Sequence, residues 1–385
     1  MRKFTVCLLL FSLALGSCDS TSDDLVPDDI EIGVVLPLTG TLTRTGSEMR
    51  RAIEMARDQA NDLNLIPDIE IELVVADNTS SADGSEVAFD QIITEEDVVA
   101  IIGPFTSTST DRIVPIIDEA KMVTVAPASA AQGLSMLSEY LFRTSLTVDY
   151  LVPEGVRITS DRLGFTSVAM ITNESDTFSR SARDKIKEEL GKLSGVSIVI
   201  EEQFERTPGS DMPDISAQLT AIKNAPSSPD VIFFSGLSPD RTNIITTARA
   251  VGITNISMIT ALLSVDEIHV INETSPGAAD GVITFTVWVS SSTHPASLAF
   301  VLAYEERYLE TPGDYAARAY AAATLLFRGI AEALPDLRSS AIREAMAGLS
   351  NEDTIYGSFS FDEHGDAVFS PTVVEVDGNG FVPFE

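Results

Sequence analysis

The chain has 385 residues, with 25 basic against 58 acidic side chains and a formal net charge of −33. A surface of that sign repels nucleic acid and anionic lipid headgroups, which excludes either as an electrostatic partner. The two cysteines, Cys7 and Cys18, both fall in the opening segment, so an internal disulfide is excluded from the rest of the chain.

The chain opens MRKFTVCLLLFSLALGSC. Arg2 and Lys3 form a positive start, and the apolar run behind them is about ten residues long, short of the roughly 20 that a membrane span needs. The run ends in Leu15-Gly16-Ser17-Cys18, which resembles the lipobox of bacterial lipoproteins; an ordinary secretory signal is the alternative. Cleavage before Cys18 leaves 23 basic against 58 acidic residues, a formal charge of −35. Residues 19–29 (DSTSDDLVPDD) read as an acidic, flexible tether. Acyl chains on Cys18, at ~0.8 kcal/mol per buried CH₂, would hold the protein on the periplasmic or extracytoplasmic face of a bacterial membrane. Asp19 resembles an inner-membrane retention signal.

Beyond the tether, apolar runs alternate with helical stripes. Ile32–Leu38 reads as a buried strand, and Met49, Ile53, Ala56, Ala60 and Leu63 set a helical stripe over 46–63. Strand 69–76, helix 85–95 and strand 98–102 follow. A helix is predicted after the hydroxyl run 106–110, with Pro115 as a kink, and then strand 122–126. The pattern restarts after Thr144. It gives strand 167–172, a helix through Ala182, Ile186 and Leu190, strands 197–200, 231–234 and 257–260, and helices around Leu219 and Ile245. Residues 281–289 read as a long strand or a crossover, 314–334 as an Ala-rich helix, and the tail as β-rich. Strand–helix alternation over ~350 residues predicts an α/β fold of two doubly wound parallel-sheet lobes with a cleft between them.

Several segments carry a family resemblance: IGVVLPLTG, GSEMRRAIEMARDQAN, VVADNTSSADGSEVAFDQII, VVAIIGPFTSTST, MVTVAPASA, YLFRTS, GSDMPDISAQLTAIKNAPSSPDVIFFSG, ARAVGI, YAARAYAAATLL and GSFSFDEHGD. In this order and spacing they resemble the Leu/Ile/Val-binding group of type I periplasmic binding proteins, the solute receptors of ABC importers, from about Ile32 to Val376. The resemblance implies three crossovers, near 145–148, 284–288 and 367–372. Behind an 18-residue signal and the 19–29 tether, lobe 1 would be 30–146 plus 286–368, and lobe 2 would be 147–285 plus 369–385. It implies a small solute trapped by hinge closure and handed to an ABC permease.

The run IIGPFTSTST asks what its hydroxyls hold. Ser107 and Thr108 stand where a strand ends and a helix begins, where free amides and the helix dipole favour an anion. One hydroxyl would suffice as a cap. By the resemblance, Ser107 grips a ligand carboxylate, Ala128 offers a backbone carbonyl, and Ser129 carries a hydroxyl one place early. Thr45 and Phe178 occupy wall positions, Leu237 replaces a ligand tyrosine, and Ala261 stands where the family places the acid that pairs with a ligand ammonium. A buried ammonium without a carboxylate costs several kcal/mol. The expectation is therefore a solute other than a standard α-amino acid, carrying a carboxylate or another acceptor, in a pocket otherwise apolar.

Catalysis is not expected. The three histidines fit no His-Glu-x-x-His spacing, there is no Gly-x-Ser-x-Gly elbow, and no metal cluster or cofactor fingerprint is visible. Asp377-Gly-Asn-Gly reads as a turn. The alternative function is a lipid-anchored sensor or regulator on the same fold, working through protein contacts.

Overall fold

The computed structural model describes residues 27–206 and 211–384. The signal segment, Cys18 and most of the tether lie outside the described residues. Asp29, assigned above to the tether, already belongs to a strand.

The first sheet is wholly parallel. Its strands are β1 (Asp29–Leu36), β2 (Glu70–Asp77), β3 (Val98–Ile102), β4 (Thr124–Ala126) and β5 (Leu141–Arg143), in the order β2-β1-β3-β4-β5. The register sets Val34 between Val75 and Ile102, which continues one apolar layer across the sheet. β1 ends two residues before the predicted Leu38, because Pro37 cannot continue the ladder. The helices α1 (Thr43–Asp62), α2 (Ala82–Glu95) and α3 (Ser107–Ala120) follow β1, β2 and β3 in turn, and α3 runs through Pro115. β2 and β3 lie on opposite sides of β1, so the strand order reverses there and opens a crevice at the carboxyl ends of β1 and β3.

The chain leaves this lobe through 144–147 and enters α4 (Val148–Leu163). The second sheet has β6 (Ser167–Asn173), β7 (Ser197–Phe204), β8 (Val231–Ser235), β9 (Ser257–Ala261) and β10 (Ile283–Thr286), with helices α5 (Thr177–Lys192), α6 (Ser216–Lys223), α7 (Asp240–Ala250) and α8 (Val265–Thr274). Residues 281–289, read as a long strand or a crossover, hold the four residues of β10 and then the start of a passage out of this sheet. A second passage leads to α9 (Pro295–Tyr308), α10 (Asp314–Ala333) and α11 (Ser339–Gly348), then to a small antiparallel sheet of β11 (Glu352–Thr354), β12 (Gly357–Phe361) and β13 (Ala367–Val368). A third passage adds β14 (Thr372–Asp377) and β15 (Gly380–Pro383) to the second sheet, in the order β15-β14-β10-β9-β8-β6-β7. That sheet reverses between β6 and β8, so its crevice faces the first one.

α10 buries Ala316, Ala317, Ala319, Ala321, Ala322 and Ala323. Side chains this small let it lie close against α1, and Leu326 and Phe327 then fill the deeper layer, each contributing roughly 1.5–3 kcal/mol by burial. Arg143 ends β5 fully buried, and its Nε and Nη2 reach both oxygens of Asp366, at 2.6 and 2.7 Å. Its Nη1 donates to the Ala131 carbonyl, so one side chain ties the tail sheet to the loop after β4.

Candidate functional site

The loops at the two sheet reversals build the cleft. The backbone turns at Gly103, after β3, with φ +126°; a Cβ there would lie 2.2 Å from the Val35 carbonyl oxygen, so only glycine fits. Phe105 follows and packs edge-on against Tyr315 of α10, with ring centroids 5.0 Å apart.

The hydroxyl run then divides its duties. Thr106 caps α3, its Oγ1 accepting from the Ser109 amide at 3.1 Å. Thr110 bonds back to the Thr106 carbonyl. Ser107 is buried, and its Oγ accepts from the Ala130 and Ala131 amides, each at 3.1 Å, with the Ser129 hydroxyl 3.4 Å away. Two amides fill its accepting positions, so what Ser107 has left to offer is its own proton, to an acceptor. We expect Ser107→Ala to lower the unfolding free energy by about 2 kcal/mol, read from a urea titration, because two buried amides lose their partner. Thr108 joins the lobes: its hydroxyl donates to Asp176 Oδ1 at 3.1 Å and accepts from the Thr177 amide at 3.2 Å.

A chamber of ≈ 20 Å³ lies between the lobes. Phe105, Ser107, Ala128, Phe178, Leu237 and Leu262 wall it, as the family pattern implies for four of them. It also has two charged walls that the sequence reading missed, Arg241 and Arg318, where an apolar interior was expected. Arg241, in the first turn of α7, is fully buried. Its Nε and Nη2 bond Glu267 at 3.0 and 2.7 Å, and its Nη1 donates to the Gly236 carbonyl at 2.8 Å. Burial works against its charge, but Glu267 and Tyr315 outweigh that and hold its pKa above the usual value. Arg318 is also fully buried. Its Nη2 bonds Asp314 at 2.6 Å, its guanidinium stacks 5.0 Å from the Tyr315 ring, and its Nε has no partner. Burial pushes the Tyr315 phenol up to about 12, so it stays neutral.

The remaining predicted residues stand elsewhere. Thr45 sits half-buried in the first turn of α1 and lines neither this chamber nor the larger cavity beside it. Ala261 is buried, and its carbonyl lies 3.4 Å from Arg241 Nη1; its neighbour Leu262 supplies the wall. Ser129 is buried behind Ser107 rather than in the lining. The carboxylates of Glu267 and Asp314 stand behind the arginines, so the lining itself carries guanidinium groups and no acid. Two signals were open to sequence reading: the Ser264-x-x-Glu267 capping box and the i,i+4 pair Asp314–Arg318.

Among the described residues no cluster of acids, histidines and cysteines could hold a metal ion, and no helix is long and apolar enough to cross a membrane. A family model described as "Periplasmic binding protein" matches residues 29–380. A leucine-, isoleucine-, valine-, threonine- and alanine-binding protein of Pseudomonas aeruginosa is 22% identical over 370 residues, 95% of this chain and 94% of its own. A leucine-binding protein of Thermotoga maritima superposes with a TM-score of 0.82 at 24% identity, covering 92% of this chain and 98% of that one. A solute-binding protein of R. palustris, solved in complex with benzoate, gives 0.82 at 19% identity, covering 92% and 95%.

Proposed function

We infer that this chain, which belongs to the periplasmic binding protein family, captures a small carboxylic acid lacking an α-ammonium group and delivers it to an ABC permease. The observation that carries the reading is the chamber's charged lining, two buried guanidinium groups and no carboxylate. Glu267, Tyr315 and the Gly236 and Ala261 carbonyls take all the N–H groups of Arg241, so it supplies a fixed positive charge, while Arg318 is held by Asp314 and keeps donors to spare. A charge and donors set in advance cost no reorganisation when an anion docks. Arg318, whose Nε has no partner, and Ser107, whose hydroxyl still has a proton to give, both line the same chamber. An α-ammonium would meet a like-charged wall and lose its hydration there. The benzoate in the R. palustris relative is an acid of the proposed kind, whereas the P. aeruginosa relative is named for amino acids.

Delivery depends on the lobes, taken as 30–146 plus 286–368 and 147–285 plus 369–385, closing about the three crossovers. Cleavage before Cys18 and acylation of that residue would leave the receptor tethered by 19–29 to the extracytoplasmic face of the membrane. A thermal-shift panel tests the ligand class. Benzoate or a short alkanoate at about 100 times its Kd should add roughly 2.7 kcal/mol of stability, with no comparable shift from leucine, isoleucine or valine. Stabilisation by those amino acids and none by the acids would overturn the reading.

A further inference from the structure

A second cavity adjoins the anion chamber, of ≈ 310 Å³, and the two share Thr106 and Leu237 as walls. We propose that this cavity seats the far end of the ligand, and that the solute is an elongated acid carrying hydrogen-bond donors (hydroxyl, amide or amino groups) at the end away from its carboxylate. The inference rests on the chamber being the carboxylate's seat.

Size gives the first argument. At ≈ 20 Å³ the chamber has room for about one or two water-sized groups, so nothing larger than a carboxylate head fits. Phe105, Phe178, Leu262 and Tyr315 close its other sides, so the rest of a ligand leaves along Thr106 and Leu237. Both lobes line the space it enters, and the loops there come from both sheet reversals. A tail lying in it therefore bridges the lobes, as the head does.

Chemistry gives the second. Two buried carboxylates line this cavity, Asp176 and Asp240, against one buried arginine, Arg206. Asp240 bonds Arg206 through one oxygen and the Asn173 amide, at 2.8 Å, through the other. Asp176 takes the Thr108 hydroxyl on one oxygen and the amide and hydroxyl of Ser179 on the other, at 2.7 and 2.6 Å. A carboxylate offers about four accepting sites, so both acids keep capacity for further donors. The Ser175 hydroxyl also lines the space and bonds no other described residue. The lining mixes apolar walls such as Leu42 and Leu237 with this excess of negative charge, so it repels a second carboxylate and favours a tail whose alkyl stem ends in donors.

Isothermal titration of the mature protein with pentanoate, its ω-hydroxy derivative and its ω-amino derivative tests the idea. The donor-bearing acids should bind at least tenfold more tightly than pentanoate. Ser175→Leu, which fills the cavity from lobe 2, should cut that ratio to below about twofold. The exposed Thr41→Leu does the same from lobe 1 should the first variant fold poorly. Equal affinity for the three acids, or an unchanged ratio in both variants, would overturn the tail site and leave the carboxylate chamber standing. Absence of binding by all three would overturn the chamber reading and the tail site with it.

Discussion

Arg241→Ala is expected to abolish carboxylate binding and to lower the unfolding free energy by about 3–5 kcal/mol, the usual cost of breaking a buried ion pair from one side. The loss is large because Glu267, almost fully buried, has its charge answered by Arg241 through two bonds. Glu267 also builds the start of α8: its Oε2 accepts from the Ser264 amide at 3.0 Å, and its own amide donates to Ser264 Oγ at 3.2 Å. An unanswered charge there would be relieved by protonation or by opening the helix end. Either route loosens the loop that carries Leu262.

Binding and stability can be separated. In the double variant Arg241→Met/Glu267→Gln, the amide keeps the capping geometry and the methionine fills the guanidinium's volume. Most of the lost stability should return, since replacing both partners of a buried pair is often neutral. Carboxylate binding should not return, because the chamber has lost one of its two positive walls. Urea unfolding and calorimetric titration of the two variants give both numbers. A double variant that binds as the wild type does would make Arg241 a structural residue and remove the main support for an anion site.

That residue marks where sequence reading stops. The alternation of strand and helix was legible because a strand buried on both faces must be apolar throughout. Val98–Ile102 was placed to the residue on that ground. α4 has a stripe of Val148, Leu151, Val152, Gly155, Val156 and Thr159, yet Pro153 inside it and the change of lobe at its start hid the helix. The hydroxyl run stands at the start of α3, where the sequence places it. Its role there was not legible, because whether Ser107 meets a ligand or the amides of Ala130 and Ala131 depends on a loop more than 20 residues away. Arg241 was hidden for a simpler reason. An arginine in a polar helix start is usually solvated, and only the arrival of Glu267 and Tyr315 from other elements makes its burial affordable. Charge inside a core is a tertiary fact, and local pattern carries no trace of it.

Benzoate affinity should fall as pH rises from about 5.5 to about 8.5, by roughly tenfold or more, and Glu48→Gln should flatten the dependence. Glu48 lies on α1, buried, with Oε1 accepting from the Gly313 amide at 2.7 Å and Oε2 without a partner. Burial first, then the charges of Asp266 and Asp314, push its carboxyl from 4.5 up to about 8, and the Gly313 amide only partly offsets them. The groups around it are Arg44 and Arg51 from its own helix, Asp266 and His269 from α8, Tyr304 from α9, and Glu310 and Asp314. Asp266 belongs to the other lobe, where it also pairs with Arg44 at 2.6 Å. Opening the cleft would carry α8 away and let water reach Glu48, returning its pKa toward 4.5. Closure therefore takes up a proton. A carboxyl with a raised pKa stabilises the closed form fully below about 4.5 and loses that contribution as pH climbs through about 8. Asp314, raised to about 6 by burial against the opposing charge of Arg318, acts with the same sign between about 4 and 6. Benzoate stays ionised across the tested range, so the probe's own titration does not enter. Titrations at three pH values on the wild type and on Glu48→Gln decide the matter. Equal slopes in the two proteins would show that the contact between α1 and α8 does not couple protonation to closure.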